Sequence, residues 1–267
     1  MGEVVKSYHP ALAAAVAVLL TAGCTTSSAS PPDAAPTAVS TETSAPPSAS
    51  PSPTGPDART VLLAALEKSR NTTYRFATSG DVPDAKKISG SGSYDPKARR
   101  ISVKVRMTGG GQKAVATQRI VVGTDLYSRQ KDGETWVHLN LKKIKKDSLY
   151  AFDMTDPTGL SRFVESVGRV TGTGPNTYSG TLDIENGRFN EGFLPVGTPA
   201  IWVMSSGGAG ATFTATTNPA GWVTSIKVSL KNRKGTLHMT TTLSGHGKAS
   251  GIKKPSDFGE AMDFYYD

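Results

Sequence analysis

A single cysteine, Cys24, occurs in 267 residues, so no intrachain disulfide can form. Histidine is nearly as scarce. Of four, three lie in the main body (His138, His238 and His246), far apart and with no paired metal-ligand spacing. There is no Gly-x-Ser-x-Gly nucleophile elbow. Gly109-Gly110-Gly111 lacks the lysine and hydroxyl residue of a phosphate loop, and no helical pattern follows it. Asp and Glu show no arrangement that singles out a catalytic pair. These absences argue against an enzyme, leaving only residues distant in sequence that converge in space. No cofactor and no metal are expected. Acids are outnumbered as well, 22 against 30 Lys and Arg, for a formal net charge of +8.

Long apolar runs are also missing. Ala11–Gly23 is uncharged over 13 residues, short of the roughly 20 needed to span a bilayer. It matches the apolar core of a signal peptide, roughly 7–15 residues. Small residues precede Cys24. Leu20-Thr21-Ala22-Gly23-Cys24 resembles the lipobox of bacterial lipoproteins, although Thr21 stands where leucine is usual. That resemblance implies a signal peptide over 1–23, a diacylglycerol on the Cys24 sulfur, cleavage before Cys24 and acylation of the new amino terminus. The alternative is an ordinary secretory signal that releases a soluble protein. The expected location is the extracytoplasmic face of the cell membrane, lipid-anchored.

Residues 24–56 follow the processing site. From Thr25 to Pro56 the chain is almost wholly Ser, Thr, Pro and Ala, with no aromatic residue and only Val39 as a large aliphatic. Such composition cannot offset the entropy of ordering. It predicts a disordered tether reaching on the order of 30 Å. The body is then 57–267, long enough for one domain with a sizeable core. It carries 29 basic and 19 acidic residues. A basic exported domain suits anionic headgroups or an anionic wall polymer as neighbours. The inferred compartment excludes nucleic acid as a partner.

Within the body, Thr60–Arg70 predicts a helix, with Val61, Leu62, Ala65, Leu66 and Ser69 on one stripe. Thr73–Ser79 alternates as a strand. Lys87–Tyr94 is a strand of small residues, and its Ser89–Ser93 stretch is expected to leave space above the surface or to bend sharply. Arg100–Met107 is the clearest strand, with Ile101, Val103, Val105 and Met107 facing one way and Ser102, Lys104 and Arg106 the other. Short strands follow at Arg119–Val122, Asp125–Arg129 and Thr135–Leu139. Asp156-Pro157 should open a second helix, with Leu160, Phe163, Val164 and Val167 on its apolar face and Gly168 or Gly172 ending it. Strands are expected again at Thr177–Ile184, Thr212–Thr217, Trp222–Leu230 and Thr236–Leu243, with an irregular Glu185–Pro199 and an apolar Ala200–Met204 between. The histidines of strands, His138 and His238, fall opposite the apolar faces and read as solvated. Trp136, Trp202 and Trp222 read as core or cavity wall, the alternative being a surface for carbohydrate stacking, and Phe264-Tyr265-Tyr266 reads as a packed tail over the sheet edge, the alternative being an interaction tag.

The order of elements is similar to the half-barrel of the LolA and LolB lipoprotein carriers, and more so to the actinobacterial LppX and LprG lipoproteins. The residues that carry the likeness are the Leu-Leu-Ala-Ala-Leu helix before Tyr74-Arg75-Phe76, Leu126-Tyr127 before Trp136, Asp156-Pro157-Thr158-Gly159-Leu160, Tyr178-Ser179-Gly180-Thr181-Leu182-Asp183, and Gly245-His246-Gly247 leading to Ile252-Lys253-Lys254-Pro255. The resemblance implies an α+β fold: a strongly curved antiparallel β-sheet, a half-barrel, with helices across its concave face. It also implies an acylated lipid or glycolipid held in a cavity and carried in the cell envelope. A non-transporting binding, sensor or accessory module of an envelope complex is the alternative.

Apolar faces nominate the cavity lining: Leu66, Leu160, Phe163 and Val167 from helices, and Phe76, Val103, Val105, Ile226, Val228, Leu237 and Met239 from strands. Lys142, Lys143, Lys145 and Lys146 around Ile144 are candidates to meet a negatively charged membrane surface, the alternative being a solvated face.

Overall fold

The computed structural model describes residues 57–82, 86–111, 113–145, 148, 151–183, 211–232 and 235–266. Contacts divide the chain into Met1–Ser52 and Pro53–Asp267, and every described residue belongs to the second unit. Cys24, the tether, Glu185–Pro199 and Ala200–Met204 with Trp202 lie outside the described residues.

The described unit is one open, curved sheet of twelve strands with two short helices. Helix α1 spans Ala58–Arg70. A meander follows: β1 Tyr74–Val82, β2 Lys86–Asp95, β3 Arg100–Gly109, β4 Val115–Val122, β5 Asp125–Arg129 and β6 Trp136–Asn140. Helix α2 spans Leu160–Ser166. The second run is β7 Val167–Gly174, β8 Thr177–Leu182, β9 Ala211–Thr217, β10 Val223–Asn232 and β11 Gly235–Ser244, closed by a short β12, Phe258–Glu260. The order across the sheet is β12-β6-β5-β4-β3-β2-β1-β11-β10-β9-β8-β7. The two runs are therefore joined at mid-sheet by β1 against β11. All neighbours are antiparallel except β12, which lies parallel to β6. With helices of 13 and 7 residues against twelve strands, the balance lies further toward β than the expected α+β class.

Local chemistry explains the element ends. Asp57 caps α1 by accepting from the Thr60 amide at 3.2 Å. At the other end Asn71 donates to Glu67 at 2.7 Å. The second helix differs from expectation. Asp156 does cap it, accepting from the Ser161 and Arg162 amides at 3.1 and 3.0 Å, but it stands outside the helix. Gly159, at φ 71°, makes the turn between. The helix stops at Ser166, and Val167 starts β7, paired with Leu182 on β8. β-Branched Val167, Val170 and Thr171 suit the extended backbone, so Val167 is a strand residue and not a helical one.

The register lines up transverse rungs, each on one face. One inner rung runs Leu139, Leu126, Val121, Ile101, Tyr94, Tyr74 from β6 to β1. The next contains Val137, Ser128, Arg119, Val103, Gly92, Phe76 and Leu243. A third contains Val105, Gly90, Thr78, Thr241, Ile226 and Ala215, with the Thr78 and Thr241 hydroxyls hydrogen-bonded at 2.9 Å in the buried interior. A fourth has Met107, Ile88, Gly80, Met239, Val228 and Phe213. Helix α1 packs against α2, β7 and β10. Leu62 and Leu66 on α1, with Leu160 and Phe163 on α2, are fully buried in the cluster built on these rungs.

Candidate functional site

The inner face is covered unevenly. Along β1 and β9 to β11, Phe76, Phe213, Ile226, Val228, Leu237 and Met239 are all buried. Phe163 of α2 meets the Phe213 ring edge-on at 5.3 Å. Across β3 the same rungs are only half-buried, at Val103, Val105 and Met107. The connection from β6 to α2 adds half-buried Leu141, Ile144, Phe152 and Met154 to the cluster. It ends over mid-sheet, where the buried Tyr74 hydroxyl donates to Thr158 at 2.9 Å. Burial raises the Tyr74 phenol well above its ordinary value, more than the Thr158 hydrogen bond lowers it.

Eleven side chains were nominated for a cavity, and the structure brings them all into one apolar cluster. Leu66, Phe76, Leu160, Phe163, Val167, Ile226, Val228, Leu237 and Met239 are buried there, while Val103 and Val105 are half-buried. Space above the small-residue strand is reduced relative to expectation: the Phe76 ring lies over Gly92. Arg119 was not singled out in the sequence, yet it shares the inner rung with Val103. Alternation with Val121 is the signal that places it there.

Lys142, Lys143 and Lys145 are exposed around half-buried Ile144; Lys146 lies outside the described residues. Lys143 Nζ also stands 5.8 Å from the Tyr266 ring centre. Tyr265 and Tyr266 pack against the cluster, while Phe264 is exposed.

His238 is exposed, as expected, whereas His138 is less solvated than expected. His138 lies on the outer face with both ring nitrogens on carboxylates, Glu260 at 2.8 Å and Asp125 at 3.1 Å, and it stacks on buried Tyr127. Each nitrogen is taken by a different carboxylate, which is the arrangement of a fastener between β5, β6 and β12. His246 stacks on Trp222 at 5.0 Å, and Lys68 Nζ lies 4.2 Å over the same indole. Burial first, then the Lys68 charge, pulls the His246 imidazole below its ordinary value, against a hydrogen bond with the Val223 backbone. Trp136 stands on the outer side under the Arg129 guanidinium at 4.4 Å, not in the core or an inner wall. On that face Asp132 accepts hydrogen bonds from Lys104 and Gln118, which hold its carboxyl below the ordinary range. No group of three or more His, Cys, Asp or Glu suited to a metal occurs among the described residues, and no described helix is long and apolar enough to cross a membrane.

No protein-family model matches the chain, and no curated protein matches it. Among solved structures, an uncharacterised conserved protein from Thermus thermophilus is similar at 11% identity and a TM-score of 0.38, over 77% of this chain and 99% of that one. A beta-barrel-like protein of a domain of unknown function from Brucella abortus is similar at 9% identity and a TM-score of 0.19, over 66% of this chain and 96% of that one. Neither likeness bears on function, and the site stands on its own geometry.

Proposed function

We propose that this chain is an exported lipoprotein, anchored through an acylated Cys24, that binds an acylated lipid or glycolipid against the inner face of its sheet and carries it in the cell envelope. On this reading the sheet is a half-barrel of the LppX and LprG kind, with its helices across the concave side. One observation carries the proposal: Val103, Val105 and Met107 continue the rungs of a fully buried core but are themselves only half-buried. An acyl chain laid along them removes apolar surface from water, at about 0.8 kcal/mol for each methylene buried. Arg119, beside Val103 on its rung, puts a cation at the border of this strip. The exposed Lys142, Lys143 and Lys145 then face an anionic membrane surface.

Mass spectrometry of the full chain extracted under native conditions from its own membrane tests the proposal. Co-purified acylated lipid is expected, and its absence together with failure to take up a fluorescent fatty-acyl probe rejects it. Labelling with a radioactive fatty acid tests the anchor: it should be lost in Cys24→Ala.

A binding, sensor or accessory module of an envelope complex is the second reading. Nine of the eleven nominated side chains are already buried against protein, as a filled core requires. A chain that yields no lipid decides for it.

A further inference from the structure

Three large apolar side chains are exposed among the described residues: Val115 at 62%, Met262 at 70% and Phe264 at 62%. Val115 pairs across the strands with Met107 and so extends the apolar strip. Met262 and Phe264 belong neither to the strip nor to the core. They flank Asp263 on the C-terminal tail, at the short turn of 3-10 helix Asp263–Tyr265. The tail is fastened at this point. The Ala261 amide donates to the His138 carbonyl at 2.9 Å, and the Asn140 amide donates to the Tyr266 hydroxyl at 3.2 Å. Tyr265 and Tyr266 pack against the core, and the Phe264 ring stacks on Tyr265 at 4.4 Å. Two apolar side chains are thus held at the surface by neighbours that are themselves anchored. The same bonds bring the tail against the turn after β6, where Lys142, Lys143 and Lys145 are exposed. Acids lie here too: Asp263 is exposed, and Glu260 and Asp125 each hold a ring nitrogen of His138. Further back, Lys253 and Lys254 precede Asp257, and after the turn Lys146 is followed by Asp147. Charge around the pair is therefore mixed, and the apolar side chains are its distinguishing feature.

We infer that Met262 and Phe264 enter the interfacial layer of a phospholipid bilayer, which makes the edge formed by β6 and β12 a second membrane contact besides Cys24. The inference rests on the reading of the chain as an exported lipoprotein anchored at Cys24. Two arguments choose a bilayer as the occupant. The first is proximity. The segment from Cys24 to the start of α1 reaches on the order of 30 Å, so an anchored domain is never far from lipid. The second is size. A stable protein interface takes about 800 Å² from each partner, and two apolar side chains ringed by mixed charge do not supply it. A bilayer asks for no such area, since each side chain that enters adds the apolar surface it removes from water. The lysines beside the pair have long apolar stems and keep their ammonium groups among the headgroups. The turn that carries them also gives Leu141 and Ile144 to the inner cluster, so the docked edge and the cover of the inner face are continuous.

The test places a nitroxide at Met262→Cys in the full chain, reconstituted into phosphatidylcholine vesicles and into phosphatidylglycerol vesicles. Thr212→Cys, on an exposed outer position of β9, is the control. The label at 262 should be relaxed by oxygen dissolved in the bilayer and shielded from an aqueous nickel chelate, and the label at 212 should show the reverse. Immersion should occur in both lipids and persist at high salt, because an apolar contact is not screened. Phe264→Ala should lower the ratio of immersed to aqueous label about ten-fold, the usual effect of burying one such side chain. Lys142→Ala with Lys145→Ala should leave that ratio unaltered in phosphatidylcholine. Circular dichroism confirms that each variant is folded. The inference is overturned if the label at 262 is as open to water as the label at 212. It is also overturned if immersion is confined to phosphatidylglycerol at low salt, which assigns the contact to the lysines. Spin–spin broadening between labelled chains assigns the pair to a second copy, and shielding in native membranes but not in vesicles assigns it to a partner protein; either result rejects a bilayer. Fatty-acid labelling of the same chain reports the anchor separately, so a chain that is acylated but keeps residue 262 in water rejects this contact and not the lipoprotein reading.

Discussion

The ring of Phe76 on β1 lies where a β-carbon on its cross-strand partner Gly92 would stand. The same pairing recurs on the far side of the sheet, where Phe213 covers Gly180 with ring atoms 2.7 and 2.9 Å from such a carbon. Each glycine is the seat of an aromatic side chain, and each aromatic fills what the glycine leaves.

Gly92→Ala should therefore destabilise the fold. The methyl group meets the Phe76 ring on one side and the Ser102 carbonyl on the other, and forcing a group into a packed core costs about 1–3 kcal/mol. Gly180→Ala should behave alike, while Gly259→Ala, where an added carbon meets nothing within 4 Å, should be close to neutral. Urea unfolding of the three variants measures the difference.

These pairs mark how far the sequence carries. Alternation along β3 gave the face of Ile101, Val103, Val105 and Met107 directly, and the register agrees. Alternation does not say which neighbour reaches across, so Ser89–Ser93 read as open space where Phe76 already sits. Leu160, Phe163, Val164 and Val167 fit a helical period, but pairing with β8 ends that helix at Ser166. Only a partner distant in sequence decides such a boundary. The three residues of β12 have no pattern of their own, and they are held by β6 and by the bond between His138 and Glu260. For the candidate site, the faces were legible and the degree of cover was not. Cover depends on where α1, α2 and the connection after β6 settle.

Tyr74 and Thr158 make a buried polar pair, 0% and 4% exposed. Thr158→Val should cost about 1–3 kcal/mol by leaving the phenol unsatisfied. The pair also sets an alkaline limit. Tyr74 titrates above its ordinary value of 10.0 in the folded protein, so the unfolded chain loses that proton first. The contribution is present below pH 10 and is lost as pH rises beyond it. Denaturant midpoints between pH 9 and 11 should fall less steeply in Tyr74→Phe than in the wild type.

His246 gives the opposite slope. Its folded value lies below the ordinary 6.5, so unfolding takes up a proton as pH falls under that mark. Stability from this group is present above pH 6.5 and is lost as pH drops toward the folded value. The imidazole stacks on Trp222, so its protonation should change tryptophan fluorescence with a midpoint below 6.5. His246→Gln should lose that phase. A wild-type midpoint at or above 6.5 contradicts the argument.

Val105→Trp addresses the apolar strip directly. Val105 shares its rung with Gly90 and Thr78 and is half-buried, whereas Ile226 further along the same rung is completely buried. An indole at 105 has solvent on one side and need not displace the core, so the variant should unfold near the wild-type midpoint. Placed at Ile226, the same indole enters a filled interior and should destabilise strongly, by the overpacking that costs about 1–3 kcal/mol or more. The two substitutions separate the readings of function. If the strip receives an acyl chain, Val105→Trp keeps its stability and loses both the co-purified lipid and uptake of a fluorescent fatty-acyl probe. If the inner face is only a core, Val105→Trp changes neither measurement, because nothing was bound there to exclude.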